Sequence, residues 1–286
     1  MADRFWRNGM HQAVEAKENV EVTSGKDTFA RISFQKFFRF YKKVSGMTGT
    51  ASEAQKEFWR IYDLAIVVIP QHRKNLRKFY RNKVFLNSDA RWAAVQKSIA
   101  KVHKQERPIL VGTSSIKNSE KLSVLLNEIT LPHEVLNARR HKEEAEIVGR
   151  AGKLEAVTVA TNMAGRGTDI KLTKKVKAIN GLHVIATEKF ISKRIDRQLY
   201  GRCSRQGDPG TVECFLSLDD ELLKKNAPLV SLLAKILYII LPSFILSYVF
   251  SYAQWRAMRT AQTQRESILK SDNWLESSLG FAGKEH

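Results

Sequence analysis

Cysteine is nearly absent from this sequence: Cys203 and Cys214 are the only two in 286 residues. That excludes a disulfide-stapled scaffold, and with no C-x-x-C or H-x-x-x-H spacing it also excludes a zinc cage. Acid is scarce too. Asp and Glu number 29 against 48 Lys and Arg, a net charge of +19. The opening residues, Met1-Ala2-Asp3-Arg4-Phe5-Trp6, lack the basic-then-apolar layout of a signal peptide. The expectation from these absences is a reducing, cytoplasmic compartment. With 27% charged and 43% hydrophobic residues, the composition is that of a globular protein of one or two domains.

The positive charge is uneven. Between Gln71 and Arg107 eleven Lys/Arg face only Asp89 and Glu106. Such a block attracts phosphate, anionic lipid or an acidic partner, and it serves equally well as a solvated face.

Six apolar, β-branched runs punctuate the chain: Ala65–Pro70, Pro108–Gly112, His133–Asn137, Glu155–Ala160, Leu182–Ala186 and Thr211–Leu216. Near-continuous hydrophobicity fits strands covered on both faces. Helical spacing over Ile116–Ile129 and Lys142–Gly152 between them predicts a parallel sheet flanked by helices, with ligands beyond the carboxyl ends of the strands. The segment before Ala65 reads as helices around a glycine-rich turn.

From Ala227 to Ala253 the composition changes. Ile236–Ala253 is 18 residues without a charge, interrupted by Pro242 and flanked by Lys224, Lys225, Arg256 and Arg259. Three readings stay open: a spanning helix at 236–253, an interfacial anchor, or a kinked helix pair packed on the α/β body. The polar stretch from Gln254 to Gly283 carries no catalytic pattern.

Three segments carry chemistry. In Gln198-Leu199-Tyr200-Gly201-Arg202-Cys203-Ser204-Arg205-Gln206-Gly207-Asp208, one continuous helix would put Gln198, Arg202 and Arg205 on one face at i, i+4 and i+7. An amide and two guanidiniums aimed together suit an anion, since arginine pairs bidentately and does not titrate away. A basic helix face laced with salt bridges explains the same spacing. The second segment, Thr161–Ile170, comes directly after a predicted strand; Gly165 and Gly167 flank Arg166, and Asp169 can hold a ribose hydroxyl or orient an arginine. The third is the glycine/threonine turn Gly46-Met47-Thr48-Gly49-Thr50-Ala51.

In order, GMTGTA, VGTSSIKNSE, TVATNMAGRGTDI, GLHVIATE and RQLYGRCSRQGD resemble SecA, the motor ATPase of bacterial preprotein translocation. Trp6 and Gly9–Glu18 (GMHQAVEAKE) are similar to the point where that family's first nucleotide-binding domain resumes after its preprotein cross-linking insertion. The likeness spans about residues 5 to 222. It implies a RecA-like fold, the second domain of the P-loop NTPase and helicase type: a parallel sheet with helices on both faces, here succeeded by an α-helical tail. The implied domains are a remnant of the first nucleotide-binding domain at 1–64, a second RecA-like domain at 65–222, and an apolar then basic tail at 223–286.

In that family two RecA-like domains clamp ATP, and hydrolysis drives a polypeptide through a membrane channel. The resemblance implies that Gly165, Arg166, Asp169 and Gln198 bind nucleotide and that Arg202 and Arg205 are the catalytic arginines. It implies that Gly46, Thr48, Gly49 and Thr50 couple nucleotide state to domain motion. The implied cofactor is ATP in a shared site, with Mg²⁺ held only through ATP and no protein metal site.

Departures qualify this. No G-x-x-x-x-G-K-[S/T] loop occurs, so the chain alone is not expected to be an ATPase. Cys203-Ser204 stands where the family has Ser-Gly, and Tyr200 where it has Arg. The implied partners are a first nucleotide-binding domain supplied in trans or by another part of the same gene, a preprotein and its channel, and an anionic membrane surface under a peripheral protein. A non-catalytic, membrane-docked module is the alternative. A nucleic-acid helicase half fits less well, because no interleaved aromatics mark a strand-binding groove.

Overall fold

The computed structural model describes residues 6, 8–24, 32–136, 144–161 and 168–282. By internal contacts the chain divides into two units, 1–44 with 267–286, and 45–266. The smaller unit contains α1 (Met10–Lys17) and α2 (Phe34–Arg39), the latter capped by Ser33, whose Oγ accepts from the Lys36 amide. The HQAVEAKE stretch lies on and just beyond α1.

The larger unit begins with α3 (Gln55–Tyr62), preceded by a 3-10 turn at Ser52–Ala54. Its sheet consists of β1 (Leu76–Phe79), β2 (Lys83–Phe85), β3 (Ile109–Thr113), β4 (Glu134–Leu136), β5 (Val157–Thr161), β6 (Leu182–Ala186) and β7 (Pro209–Ser217). The order is β1-β7-β6-β3-β5-β4, every pairing is parallel, and β2 runs beside the second half of β7. Hence β1 and β2 form one interrupted edge. This is the predicted α/β class, with β3 central.

Burial obeys the period of two along each strand. Ile109, Val111, Val157, Val159, Ile185 and Phe215 face α4 (Ser88–His103) and α5 (Ile116–Glu128), packing on Trp92, Val95, Ile99, Leu122 and Leu126. Leu110, Ala160, Val184, Val212 and Cys214 face the other way, towards α6 (Glu144–Arg150), α8 (Lys193–Tyr200) and the C-terminal helices. A short α7 (Lys174–Ala178) precedes β6. Coverage on both faces explains why β3, β5 and β6 read as continuous apolar runs.

The structure corrects the sequence reading at the edge. Ala65–Pro70 is not a strand; Val67, Val68 and Ile69 are about four-fifths exposed. The edge is built instead from Leu76–Phe79 and Lys83–Phe85, inside the basic block. Nor is that block one solvated face. Arg91 is buried in an ion pair with Asp220, and buried Arg107 donates to the carbonyls of Asn180 and Gly181 and to Thr211 Oγ1.

The tail folds as the kinked-helix reading expects. After α9 (Glu221–Asn226), α10 (Pro228–Ile236) and a 3-10 turn at Leu237–Ile239, Pro242 precedes α11 (Ser243–Ala282). Leu246, Phe250, Ala253 and Ala257 of α11 are buried in the body's core. Among the described residues no helix is long and apolar enough to cross a membrane.

Candidate functional site

The site is built around the end of α8. Gly112 in β3 leaves room for it: a β-carbon there would lie 2.3 Å from Leu199 Cδ2, so any larger residue forces the Leu199 side chain to move. Asp196 anchors the other side of α8. Its Oδ1 accepts from the Phe190 amide at 2.9 Å, and its Oδ2 accepts from Gln254 Nε2 at 2.9 Å and pairs with Lys189 at 3.3 Å. Burial raises the Asp196 pKa, and these donors act against that rise.

The helix stops at Tyr200, so Gln198, Arg202 and Arg205 do not share one helical face as the spacing predicts. Beyond Tyr200 the chain forms a tight loop. Ser204 (φ 56°), Gln206 (φ 51°) and Gly207 (φ 82°) all take left-handed backbone conformations, and the chain turns into β7 at Pro209. Ser204 occupies the position where the resemblance expects glycine. Each non-glycine residue in that region costs about 1 kcal/mol or more, so the loop needs external ties. Two members of the basic block supply them. Arg77 donates through Nη2 to the Cys203 carbonyl at 2.8 Å, and Arg73 through Nη1 to the Gln206 carbonyl at 3.2 Å.

The loop still brings the predicted residues together. Gln198, Arg202 and Arg205 line one cavity of about 900 Å³, joined by Arg73, Arg77 and Arg197. Five arginines and His72 are among its lining residues, and among the described residues no carboxylate lines it. Its floor is apolar, from Leu110, Leu136 and Ala160. Asp169 sits beside this cavity: its Oδ1 accepts from Arg205 Nη1 at 2.7 Å, while Arg205 Nε donates to the Gly201 carbonyl at 3.1 Å. Asp169 is thus ion-paired with Arg205. Arg202 Nη1 donates to the Thr168 carbonyl at 3.1 Å, which links the two motifs a second time. Gly165 and Arg166 lie outside the described residues.

The glycine/threonine turn is divided. Gly49 and Thr50 line the cavity; Gly46 and Thr48 do not, although Thr48 Oγ1 accepts from the Thr50 amide at 3.2 Å. Immediately after it, Glu53 accepts from Arg197 Nη1 at 2.6 Å. Sequence reasoning missed this ion pair, whose members are 144 positions apart. It also missed Arg73 and Arg77 as site residues, having counted them as diffuse charge. Arg77 lies within the charged edge strand β1 and Arg73 three residues before it, and no sequence pattern set them apart from the rest of the block.

The donor set fits a polyphosphate. Several fixed guanidiniums around an apolar floor accept anionic oxygens above and a flat base or linker below. Among the described residues no group of His, Cys, Asp and Glu could hold a metal ion.

Comparison with known families gives two matches. The SecA P-loop domain model matches residues 74–178 and 172–235, and the SecA DEAD-like domain model matches 2–59. The protein translocase subunit SecA of Desulfotalea psychrophila is 51% identical over 224 residues, covering 78% of this chain and 26% of that protein. The protein translocase subunit SecA 2 of Chlorobium chlorochromatii is 46% identical over 288 residues, covering 99% of this chain and 44% of that protein. The second alignment takes in the apolar tail. The chain thus spans less than half the length of these relatives. Among solved structures, E. coli DEAD-box protein SrmB is similar over 53% of this chain and 83% of that one, at 21% identity and a TM-score of 0.43.

Proposed function

The chain belongs to the SecA family, and on that footing we propose that it supplies the second half of an ATP-binding clamp used in protein transport across the bacterial inner membrane. The observation that carries this reading is the cavity lined by Arg73, Arg77, Arg197, Arg202 and Arg205, with no carboxylate lining it among the described residues. The first half, with its phosphate loop and metal-holding acids, comes from another part of the same protein or from a second chain. The same origin holds for the preprotein and channel contacts of the complete machine.

Bound ATP with its Mg²⁺ would supply the phosphoryl group whose transfer powers movement. The chain's own residues act around it. Arg202 and Arg205 place fixed positive charge where the transferring group gathers negative charge; in related clamps an arginine of this kind is worth about 10³–10⁵ in rate. Asp169 holds the Arg205 guanidinium in position. Gln198 presents a neutral amide to the same cavity. The Arg197–Glu53 pair ties the arginine helix to the segment after Gly49-Thr50, so a shift of one strains the other.

The domain assignment of 1–64, 65–222 and 223–286 stands as part of this proposal. Binding of a fluorescent ADP analogue tests it. The chain alone should bind weakly, tightly once a SecA-family first nucleotide-binding domain is added, and the gain should vanish with Arg202→Ala. Equal binding by the added domain with and without this chain would remove the reading.

A further inference from the structure

Arg205 belongs to a loop whose backbone its own residues disfavour. Ser204 before it and Gln206 after it both hold left-handed conformations, φ 56° and 51°, and Gly207 continues at 82°. A residue with a β-carbon keeps that conformation only where its surroundings impose it. Position 204 is the sharpest case, because glycine, the residue the family resemblance puts there, takes φ 56° without a steric penalty.

The surroundings that impose it are β1 and the segment before it. β1 runs parallel to the first half of β7, with Arg77 opposite Gly210. Residues two apart on a strand share a face. Arg77 and Phe79 both reach the end of α8: the Phe79 ring meets Tyr200 edge-on at 5.8 Å, and Arg77 Nη2 donates to the Cys203 carbonyl at 2.8 Å. Asn75 fixes the entry to the strand, its Oδ1 accepting from the Arg77 amide at 3.0 Å. Arg73 Nη1 donates to the Gln206 carbonyl at 3.2 Å, and its stem covers Gly207 so closely that a β-carbon there would lie 3.3 Å from Arg73 Cδ.

The choice of carbonyls is what gives these ties their effect. A residue's φ is the rotation of the preceding peptide about its N–Cα bond, so a held carbonyl fixes the φ that follows it. The Cys203 carbonyl belongs to the peptide before Ser204, and the Gln206 carbonyl to the peptide before Gly207. Each guanidinium therefore holds one left-handed residue, and Arg205 lies between the two ties. Asp169 and the Gly201 carbonyl hold the Arg205 guanidinium, not the backbone that carries it.

We propose that Arg77, seconded by Arg73, is a positioning residue: it keeps Ser204 left-handed and so carries Arg205 to its place in the nucleotide cavity, without itself bonding the nucleotide. The tie stands on the loop geometry; its consequence for turnover rests on the clamp reading. Arg77 also lines the cavity, so the test has to separate positioning from direct contact.

Hydrogen exchange of the Asp208 amide, which donates to the Arg205 carbonyl at 2.9 Å, reads the loop in the full chain without nucleotide. Arg77→Met should speed that exchange about tenfold, and Arg73→Met, at the longer and exposed tie, about threefold. Adding Ser204→Gly to Arg77→Met should bring exchange back to within about twofold of the parent, because glycine keeps the turn without the tie. In a mixture with a SecA-family first nucleotide-binding domain, Arg77→Met should lower kcat about tenfold and leave KM for ATP within about twofold, and Ser204→Gly should restore kcat. Arg73 is exposed, so Arg73→Met keeps the exchange test in force should Arg77→Met fail to fold. Asp208 exchange unchanged in the arginine variants overturns the proposal. So does a raised KM that Ser204→Gly leaves raised, which would make Arg77 a nucleotide ligand. Faster exchange restored by Ser204→Gly, in a mixture whose turnover ignores Arg205→Ala, would support the tie and remove the clamp reading.

Discussion

Arg197 and Glu53, 144 residues apart, meet at 2.6 Å and join the helix bearing Gln198 to the segment just after Gly49-Thr50. Both side chains are partly exposed, so the pair adds little to stability, about 1 kcal/mol or less. Its expected effect lies in coupling. Glu53→Ala should leave thermal unfolding within a degree or two of the parent, yet reduce ATP turnover of the completed clamp several-fold. Arg197→Ala combined with it should cost little more than either alone.

Gly112 sets how closely α8 approaches the sheet. Gly112→Ala forces a methyl into Leu199, and the expected cost is about 1–3 kcal/mol in denaturant unfolding. Gly112→Ala/Leu199→Val should recover part of the loss, because the shorter side chain vacates the clash. A Gly112→Ala protein as stable as the parent would show that α8 sits further out.

Gln254 is the link between the tail and the site. Its Nε2 donates to the Phe190 carbonyl at 2.8 Å and to Asp196, all of them buried. Gln254→Leu strands the Phe190 carbonyl and leaves Asp196 to Lys189 and the Phe190 amide, and should cost about 2 kcal/mol, measured by chemical denaturation. The same substitution should weaken nucleotide binding by the clamp, since Asp196 braces the helix that leads into Arg202.

Glu213 gives the fold a pH dependence. Burial pushes its pKa upward, but His183 at 3.7 Å, the Lys83 ion pair and the Ser98 hydrogen bond prevail and hold it at about 2, against 4.5 ordinarily. Between these values the unfolded chain binds the extra proton, so stability should fall as pH drops from about 4.5 to about 2. Asp220 behaves oppositely. Burial lifts it to about 7, so its contribution is lost as pH rises from 3.8 through 7 and is nearly flat in the acid window. Glu213→Gln should flatten the acid limb of an unfolding series.

How much of this was legible in the sequence depended on burial. The strands β3, β5 and β6 bury both faces and announce themselves as apolar runs. The edge strand Leu76–Phe79 buries little, and its alternation is masked by Arg77 and Lys78, so it read as charge. Ala65–Pro70 misled in the other direction: it has a strand's composition, but among the described residues no strand pairs with it. At the site, the residue types Gln198, Arg202 and Arg205 were legible from spacing, while their geometry was not. The helix ends at Tyr200 and the left-handed loop after it delivers the arginines. Ties such as Arg77 to the Cys203 carbonyl, 126 positions apart, have no sequence signature.

The central claim is that this chain's arginines complete an ATP site whose phosphate loop lies elsewhere. Single-turnover ATP hydrolysis by this chain mixed with a SecA-family first nucleotide-binding domain tests it most directly. Negligible turnover is expected from either part alone, a clear rate from the mixture, and a loss of at least about 10³-fold on Arg205→Ala or Arg202→Ala. A mixture whose rate is indifferent to both substitutions would contradict it.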